Sequence, residues 1–103
     1  MILRRRFEEV VGRQLRIFEE ESRELIAACD TAEIAYDRAP REEAEERYGE
    51  YMDQVELGTE TLAELRDNYA ATLDEDAADE YRQTFNRTVL KRLPRFALEI
   101  EEL

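Results

Sequence analysis

Glu21 and Arg92 are the charged residues whose positions could carry chemistry, because both fall on otherwise apolar helical faces. Glu21 lies near the middle of the apolar face of the first predicted helix, close to Gln14, and a lone buried carboxylate is costly unless a cation pairs with it. Counting residues back from the two short connections places Glu21 level with about Lys91 or Arg92, of which Arg92 projects into the apolar face of its own helix. We therefore predict an interior ion pair that fixes helix register rather than catalysing a reaction, unless both side chains reach solvent at a seam between helices. Arg66 is a second cation that leans inward.

Carboxylates are dense between Glu42 and Glu64, and a helical bundle can use such side chains to hold metal ions. Bundle sites of the ferritin type combine glutamate with inward-facing histidine, and this sequence contains no histidine. The acidic residues also project away from the apolar stripe, where no cleft would shift a pKa for acid–base catalysis. The sequence therefore predicts a solvated acidic face, no metal, no cofactor and no enzymatic activity.

Five tyrosines fall on the predicted core faces, where their hydroxyl groups could line a cleft for a small molecule. They are Tyr36, Tyr48, Tyr51, Tyr69 and Tyr81. No group of converging polar residues accompanies them, so we expect core packing with the hydroxyl groups at the rim. The single Cys29 lies on the same apolar face as the first of them and is expected to be a buried thiol.

Three amphipathic segments position these residues, since apolar side chains recur in each at intervals of three and four. Helices are predicted over about residues 3–38, 40–73 and 75–93, with a kink at Pro94 and a short helical tail over 95–103. The connections near Pro40 and Asp74 are short, so consecutive helices should run antiparallel. The predicted fold is all-α, a single domain over 1–103 built as an antiparallel up-down-up bundle of three long helices with coiled-coil-like packing.

The N-terminus of the third helix has two possible capping arrangements. Asp74 is a candidate N-cap, and a capping box from Thr72 to Glu75 is the alternative. In the predicted bundle the acidic run 74–80 lies beside the arginines at 4–6, which would compensate their unfavourable place at a helix N-terminus.

The formal net charge of −12 bears on the classes of partner. Binding to nucleic acid draws on clustered Lys and Arg, so nucleic acid is disfavoured and basic partners are favoured. No run of eighteen apolar residues is present for a membrane span, and the N-terminal residues lack the apolar segment of a signal peptide. We expect a soluble, cytoplasmic protein that does not bind membranes.

Apolar residues outside the stripes suggest a surface for association. Ile34, Leu57 and Leu90 fall on the outward sides of their helices, and the tail after Pro94 carries further apolar side chains. The candidate interface residues are Ile34, Leu57, Leu90, Phe96, Ile100 and Leu103. The sequence predicts a protein–protein interaction or self-assembly module, as a homodimer or with a helical protein partner. The alternatives are an acidic regulator that docks on a basic partner, imitating nucleic acid, and a small-molecule-binding bundle with a tyrosine-lined interior.

Overall fold

The computed structural model describes residues 6–103, and all regular secondary structure in this part of the chain is helical. Its α-helices are α1 (Glu8–Glu21), α2 (Arg23–Asp37), α3 (Ala44–Ala70) and α4 (Glu75–Arg92), with 3-10 turns at Arg41–Glu43, Pro94–Phe96 and Ile100–Glu102. The prediction of an all-α protein is confirmed, but four helices stand where three were predicted. No helix within 6–103 is both long and apolar enough to cross a membrane.

The first predicted helix is divided into α1 and α2 because the backbone leaves helical geometry at Ser22, where φ is −105° and ψ is 25°. The hydrogen bonds continue across this residue. The Ser22 N–H donates to the Phe18 carbonyl at 2.8 Å, and the Ser22 carbonyl accepts from the Ile26 N–H at 2.9 Å. The two helices therefore follow each other closely but pack against different neighbours, α1 against α4 and α2 against α3.

The four helices form an elongated body that measures 51 × 24 × 23 Å. Short connections make α2 and α3, and likewise α3 and α4, antiparallel neighbours. In contrast, α1 lies parallel to α4, since Phe7 contacts Tyr81 at one end of the pair and Glu19 contacts Arg92 at the other.

Tyr81 lies at the centre of the core and is fully buried. Its ring contacts those of Phe7, Tyr69 and Phe85 at centroid distances of 5.5, 4.7 and 5.9 Å. Its hydroxyl donates a hydrogen bond of 2.7 Å to Oε1 of Gln14, the polar residue on the apolar face of α1. A polar pair between helices is thus present in the core, but it joins Tyr81 to Gln14 and carries no charge.

Titration of Tyr81 should destabilise the protein at alkaline pH. Burial raises the pKa of Tyr81 to about 12, against the opposing effect of its hydrogen bond with Gln14. The stabilisation that depends on a neutral hydroxyl is fully present below pH 10, the ordinary pKa of tyrosine, and is lost as the pH rises toward 12. At about 1.36 kcal/mol per pKa unit, the loss is about 2 to 3 kcal/mol.

Urea unfolding of the wild type and of Tyr81→Phe across this pH range measures the effect. The variant lacks the titrating hydroxyl, so its disadvantage near neutral pH should shrink by about 2 to 3 kcal/mol as the pH approaches 12. If the free energies of unfolding of the wild type and of Tyr81→Phe fell in parallel as the pH rises, the prediction would be contradicted.

The chain after α4 folds back onto α3 instead of continuing as a helix. The predicted kink with a helical tail is corrected, because α4 ends at Arg92 and Pro94 begins the first of two 3-10 turns. These turns bury Phe96 and Ile100. The Thr59 hydroxyl of α3 contacts the Val55 carbonyl at 3.1 Å and the Phe96 carbonyl at 3.2 Å, which ties the tail to the middle of α3.

Arg66 fixes the end of the tail from inside the protein. Its side chain is buried, as the sequence predicted, and Nη1 donates to the Ile100 carbonyl at 2.7 Å and to Oδ1 of Asn86 at 3.0 Å. Nε forms a 2.9 Å salt bridge with Asp67. Within residues 6–103 every buried side-chain nitrogen and oxygen has a hydrogen-bond partner. Arg66 therefore has a structural role that its contacts fully account for.

Asp74 caps α4, because its Oδ1 accepts a hydrogen bond from the Ala77 N–H at 2.9 Å. The prediction of Asp74 as the N-cap is therefore confirmed. Thr72 instead donates its hydroxyl to the Tyr69 carbonyl at 2.7 Å. Of the predicted contacts between arginines 4–6 and the acidic run, Arg6 lies 3.8 Å from Glu80, while residues 4 and 5 lie outside the described residues.

Candidate functional site

Arg92 pairs with Glu19 rather than with the predicted Glu21. Its Nη2 donates to Oε1 of Glu19 at 3.1 Å and its Nη1 to the Gly12 carbonyl at 3.3 Å, on a partly exposed surface between α1 and α4. Glu21 itself is exposed. The prediction projected one continuous helix through residues 3–38 and so merged the buried faces of α1 and α2, which the break at Ser22 separates. In α1 alone the buried residues are Val11, Leu15 and Phe18.

Two of the predicted interface residues belong to the core. Phe96 and Ile100 are 2% and 1% exposed, because the tail packs against α3 instead of projecting outward. The other four predicted interface residues are exposed and come from different elements of the chain: Ile34, Leu57, Leu90 and Leu103. Their role in association stays a prediction.

Four of the five tyrosines form two separate pairs, and the five side chains do not surround a common space. Tyr69 and Tyr81 contact each other in the core, whereas Tyr36 and Tyr48 contact each other at a ring distance of 5.3 Å and are partly exposed. Tyr51 and Tyr69 are eighteen residues apart on α3, which is about 27 Å of helical rise. The arrangement does not favour a single tyrosine-lined binding site.

One continuous part of the molecule has no core of its own. No residue from Asp30 to Gln54 is buried, although this stretch includes eight residues of α2 and eleven of α3. The buried residues of the described chain all lie within 7–29 and 55–100. We call the stretch 30–54 the arm: it is a hairpin of two helices that pack against each other without a third layer.

The mismatch in helix length explains why the arm is uncovered. By the helical rise, the 27 residues of α3 span about 40 Å and the 18 residues of α4 about 27 Å. About 13 Å of α3 therefore extends past its neighbour. The sequence carried this signal, since the third predicted helix was much shorter than the second.

Arg95 of the tail marks the base of the arm. Its guanidinium forms salt bridges of 2.9 Å with Asp30 and 3.0 Å with Glu33, and it lies 5.8 Å from the centre of the Tyr51 ring. Burial alone would lower the pKa of Arg95. Its hydrogen bonds with Asp30 and Tyr51 have a larger effect in the opposite direction, so the pKa is raised overall. No pattern in the sequence indicates this contact, because it depends on the tail turning back.

Cys29 lies just inside this contact and is fully buried, as predicted. Burial raises the pKa of its thiol, and the nearby Arg95 opposes that shift.

The surface of the arm exposes large apolar side chains. Ile34 is 50%, Tyr36 is 38% and Tyr48 is 47% exposed. The two tyrosines face the neighbouring helix but stay open to solvent, because nothing in the described chain covers them.

The arm is also strongly acidic. It contains three arginines, Arg38, Arg41 and Arg47. Against them stand nine carboxylates, which give a net charge of −6, half of the total of −12: Asp30, Glu33, Asp37, Glu42, Glu43, Glu45, Glu46, Glu50 and Asp53. Any partner that covers the apolar side chains of the arm also meets this charge.

A groove of about 470 Å³ lies between α4 and the tail. Apolar, polar and charged residues all line it: Gln83, Asn86, Arg87, Leu90, Ala97, Ile100 and Glu101. It therefore offers a mixed surface without a preference for the charge of a ligand.

The fold and the arm define an all-helical protein with an open two-helix extension. Comparison of the chain with known protein families, with curated proteins and with solved structures finds no match. Within residues 6–103 no group of three Cys, Asp or Glu side chains could hold a metal ion.

Proposed function

We propose that this protein is an interaction module without catalytic activity of its own, which docks a helical partner along the arm. The observation that carries the proposal is a run of 25 residues with no buried member that exposes Ile34, Tyr36 and Tyr48. Helical domains bury apolar faces between two layers, and the arm lacks the second. A partner helix, or the arm of a second copy, would supply it and form a three- or four-helix bundle.

The exposed apolar area can supply useful binding energy. Full burial of a side chain such as Ile contributes about 1.5 to 3 kcal/mol, so covering the half-exposed Ile34 and Tyr48 contributes about 1 kcal/mol each. Because Ile34 lies on nearly the opposite side of α2 from Tyr36, whose ring contacts Tyr48, one helix covers one of the two, which corresponds to a factor of about five in affinity.

The double variant Ile34→Ala, Tyr48→Ala tests the docking surface. The matched control is Leu90→Ala, which removes a helical leucine that is 63% exposed and lines the groove between α4 and the tail. Binding is measured by fluorescence anisotropy with synthetic amphipathic helical peptides that share one apolar stripe and carry Lys, Gln or Glu beside it. Self-association is measured by size exclusion with light scattering, against the chain mass of 12.2 kDa.

We expect association with a peptide or with a second copy, and we expect it to weaken about fivefold in the double variant, with little change in Leu90→Ala. The helical content of both variants should match the wild type, since substitutions at exposed positions alter stability by about 0.5 kcal/mol or less. A strict monomer that binds none of the peptides would overturn the proposal. So would binding that is lost in Leu90→Ala and kept in the double variant.

A further inference from the structure

We infer that the occupant of the arm is a basic amphipathic helix of another protein rather than a second copy of this chain. This inference rests on the proposed function and names the chemistry of the partner. It follows from the way in which carboxylates without a cationic partner flank the exposed apolar residues.

Four of the nine arm carboxylates already have partners within the protein. Asp30 and Glu33 bind Arg95, and Glu43 and Glu50 lie 3.3 and 2.9 Å from Arg47. A fifth, Glu46, interacts electrostatically with Arg47 and, beside the larger effect of Glu50, helps to raise the pKa of that arginine, although Glu46 and Arg47 form no salt bridge. The other four have no salt bridge with any cation of residues 6–103: Asp37, Glu42, Glu45 and Asp53. Their charge is available to a partner.

The positions of these carboxylates follow those of the exposed apolar residues. Asp37 lies three residues after Ile34 on α2, and Glu45 lies three residues before Tyr48 on α3. Residues three apart are neighbours on a helix surface. Ile34 and Tyr36 are two residues apart and lie on nearly opposite sides of α2, whereas Tyr48 lies beside Tyr36. A ligand that covers either Ile34 or Tyr48 is therefore brought beside a carboxylate, and its flanks must carry positive charge to complement it.

A second copy has the wrong charge for this surface. Pairing two arms would bring two groups of net charge −6 within about 8 Å, the screening distance at physiological ionic strength. Like charges opposed across an interface reduce affinity, whereas a basic partner gains both affinity and association rate. The size of the arm suits a short segment, since its part of α3 rises about 15 Å, or about three helical turns.

The peptide series separates charge from apolar contact. At about 50 mM salt we expect the Lys-flanked peptide to bind about tenfold or more tightly than the Gln-flanked one, and the Glu-flanked peptide to bind least. Raising the salt to about 500 mM should remove most of that difference.

A charge variant and a matched control locate the effect. The triple variant Asp37→Asn, Glu42→Gln, Glu45→Gln halves the net charge of the arm and should weaken binding of the Lys peptide about fivefold or more at low salt. The control removes three exposed carboxylates that lie close together outside the arm, Glu20→Gln, Glu21→Gln, Glu24→Gln, and should change affinity less than about twofold.

Four other outcomes of these experiments would each contradict a particular claim about the arm. Equal binding of the Lys and Gln peptides would overturn the inference and leave the proposed function standing. A dimer that strengthens with salt and is lost in Ile34→Ala, Tyr48→Ala would show that a second copy occupies the arm. If the Lys-flanked peptide bound the wild type and this double variant with equal affinity, the peptide would be held by charge attraction alone and not docked on the apolar residues. A monomer that binds no peptide would overturn the proposed function itself.

Discussion

Replacing Phe96 with alanine should lower the free energy of unfolding by about 3 to 5 kcal/mol. Phe96 is 2% exposed, and its ring meets that of Phe18 edge-on at a centroid distance of 5.7 Å. The substitution leaves a cavity between α1 and α3 that the tail, held by Arg66 at Ile100, cannot readily fill. Since small domains are stable by about 5 to 15 kcal/mol, this is a large fraction of the total.

The control for this prediction is Leu98→Ala, two residues away in the same tail. Leu98 is 79% exposed, so its removal should change stability by about 0.5 kcal/mol or less. Thermal unfolding followed by circular dichroism should show a melting temperature about 15 to 25 °C lower for Phe96→Ala and little change for Leu98→Ala. A loss below about 1 kcal/mol for Phe96→Ala would show that the tail is not seated against α3.

Gly58→Val should destabilise the protein by about 2 to 4 kcal/mol, although valine is a better helix former than glycine. A Cβ atom at Gly58 would overlap the Phe96 ring, coming within 2.7 Å of Cδ1 and 3.0 Å of Cζ. The ring cannot move away without losing its contact with Phe18. The new side chain therefore displaces the tail or strains α3.

Gly49 provides a matched control on the same helix. A Cβ atom there meets nothing within 4 Å, so Gly49→Val should be neutral or slightly stabilising. Urea unfolding of both variants measures the difference. Equal effects at the two positions would contradict the close packing of Phe96 against Gly58.

Combining Gly58→Val with Phe96→Ala links the two predictions. Removing the ring opens the space that valine needs, so the double variant should be more stable than the sum of the two losses predicts, by about 1 to 3 kcal/mol. Additive losses would show that the two residues do not share one site.

The helical elements could be predicted because local signals define them. Asp74 followed by acidic residues marks the start of α4, and Pro40 marks the break between α2 and α3. The break at Ser22 has no such signal, since neither proline nor glycine is present and apolar residues continue on both sides of it. The apolar face was therefore taken from α1 and α2 together, and the predicted ion pair of Glu21 with Arg92 was wrong.

The position of the tail could not be predicted from periodicity. Phe96 and Ile100 belong to 3-10 turns of three residues each, which are too short to show which side is buried. The informative residue was Gly58, where the aromatic ring of Phe96 approaches α3. A glycine within an apolar stripe indicates close approach, but it does not identify what approaches.

The candidate site was only partly predictable. Ile34 was identified because it interrupts the polar side of α2, whereas Tyr36 and Tyr48 were assigned to the core because they follow its periodicity. Periodicity shows which side of a helix faces its neighbour. It does not show whether a third element covers the pair, which depends on the relative lengths of α3 and α4.

Cys29 gives this molecule a chemical reporter at the point where the arm joins the body. It is the only cysteine in the chain, it is fully buried, and the Arg95 contact with Asp30 lies beside it. A thiol reacts as the thiolate, and burial opposes both access and ionisation. The rate at which a small disulfide reagent modifies this sulfur is therefore a direct readout of how often the arm separates from the tail, without any label being introduced.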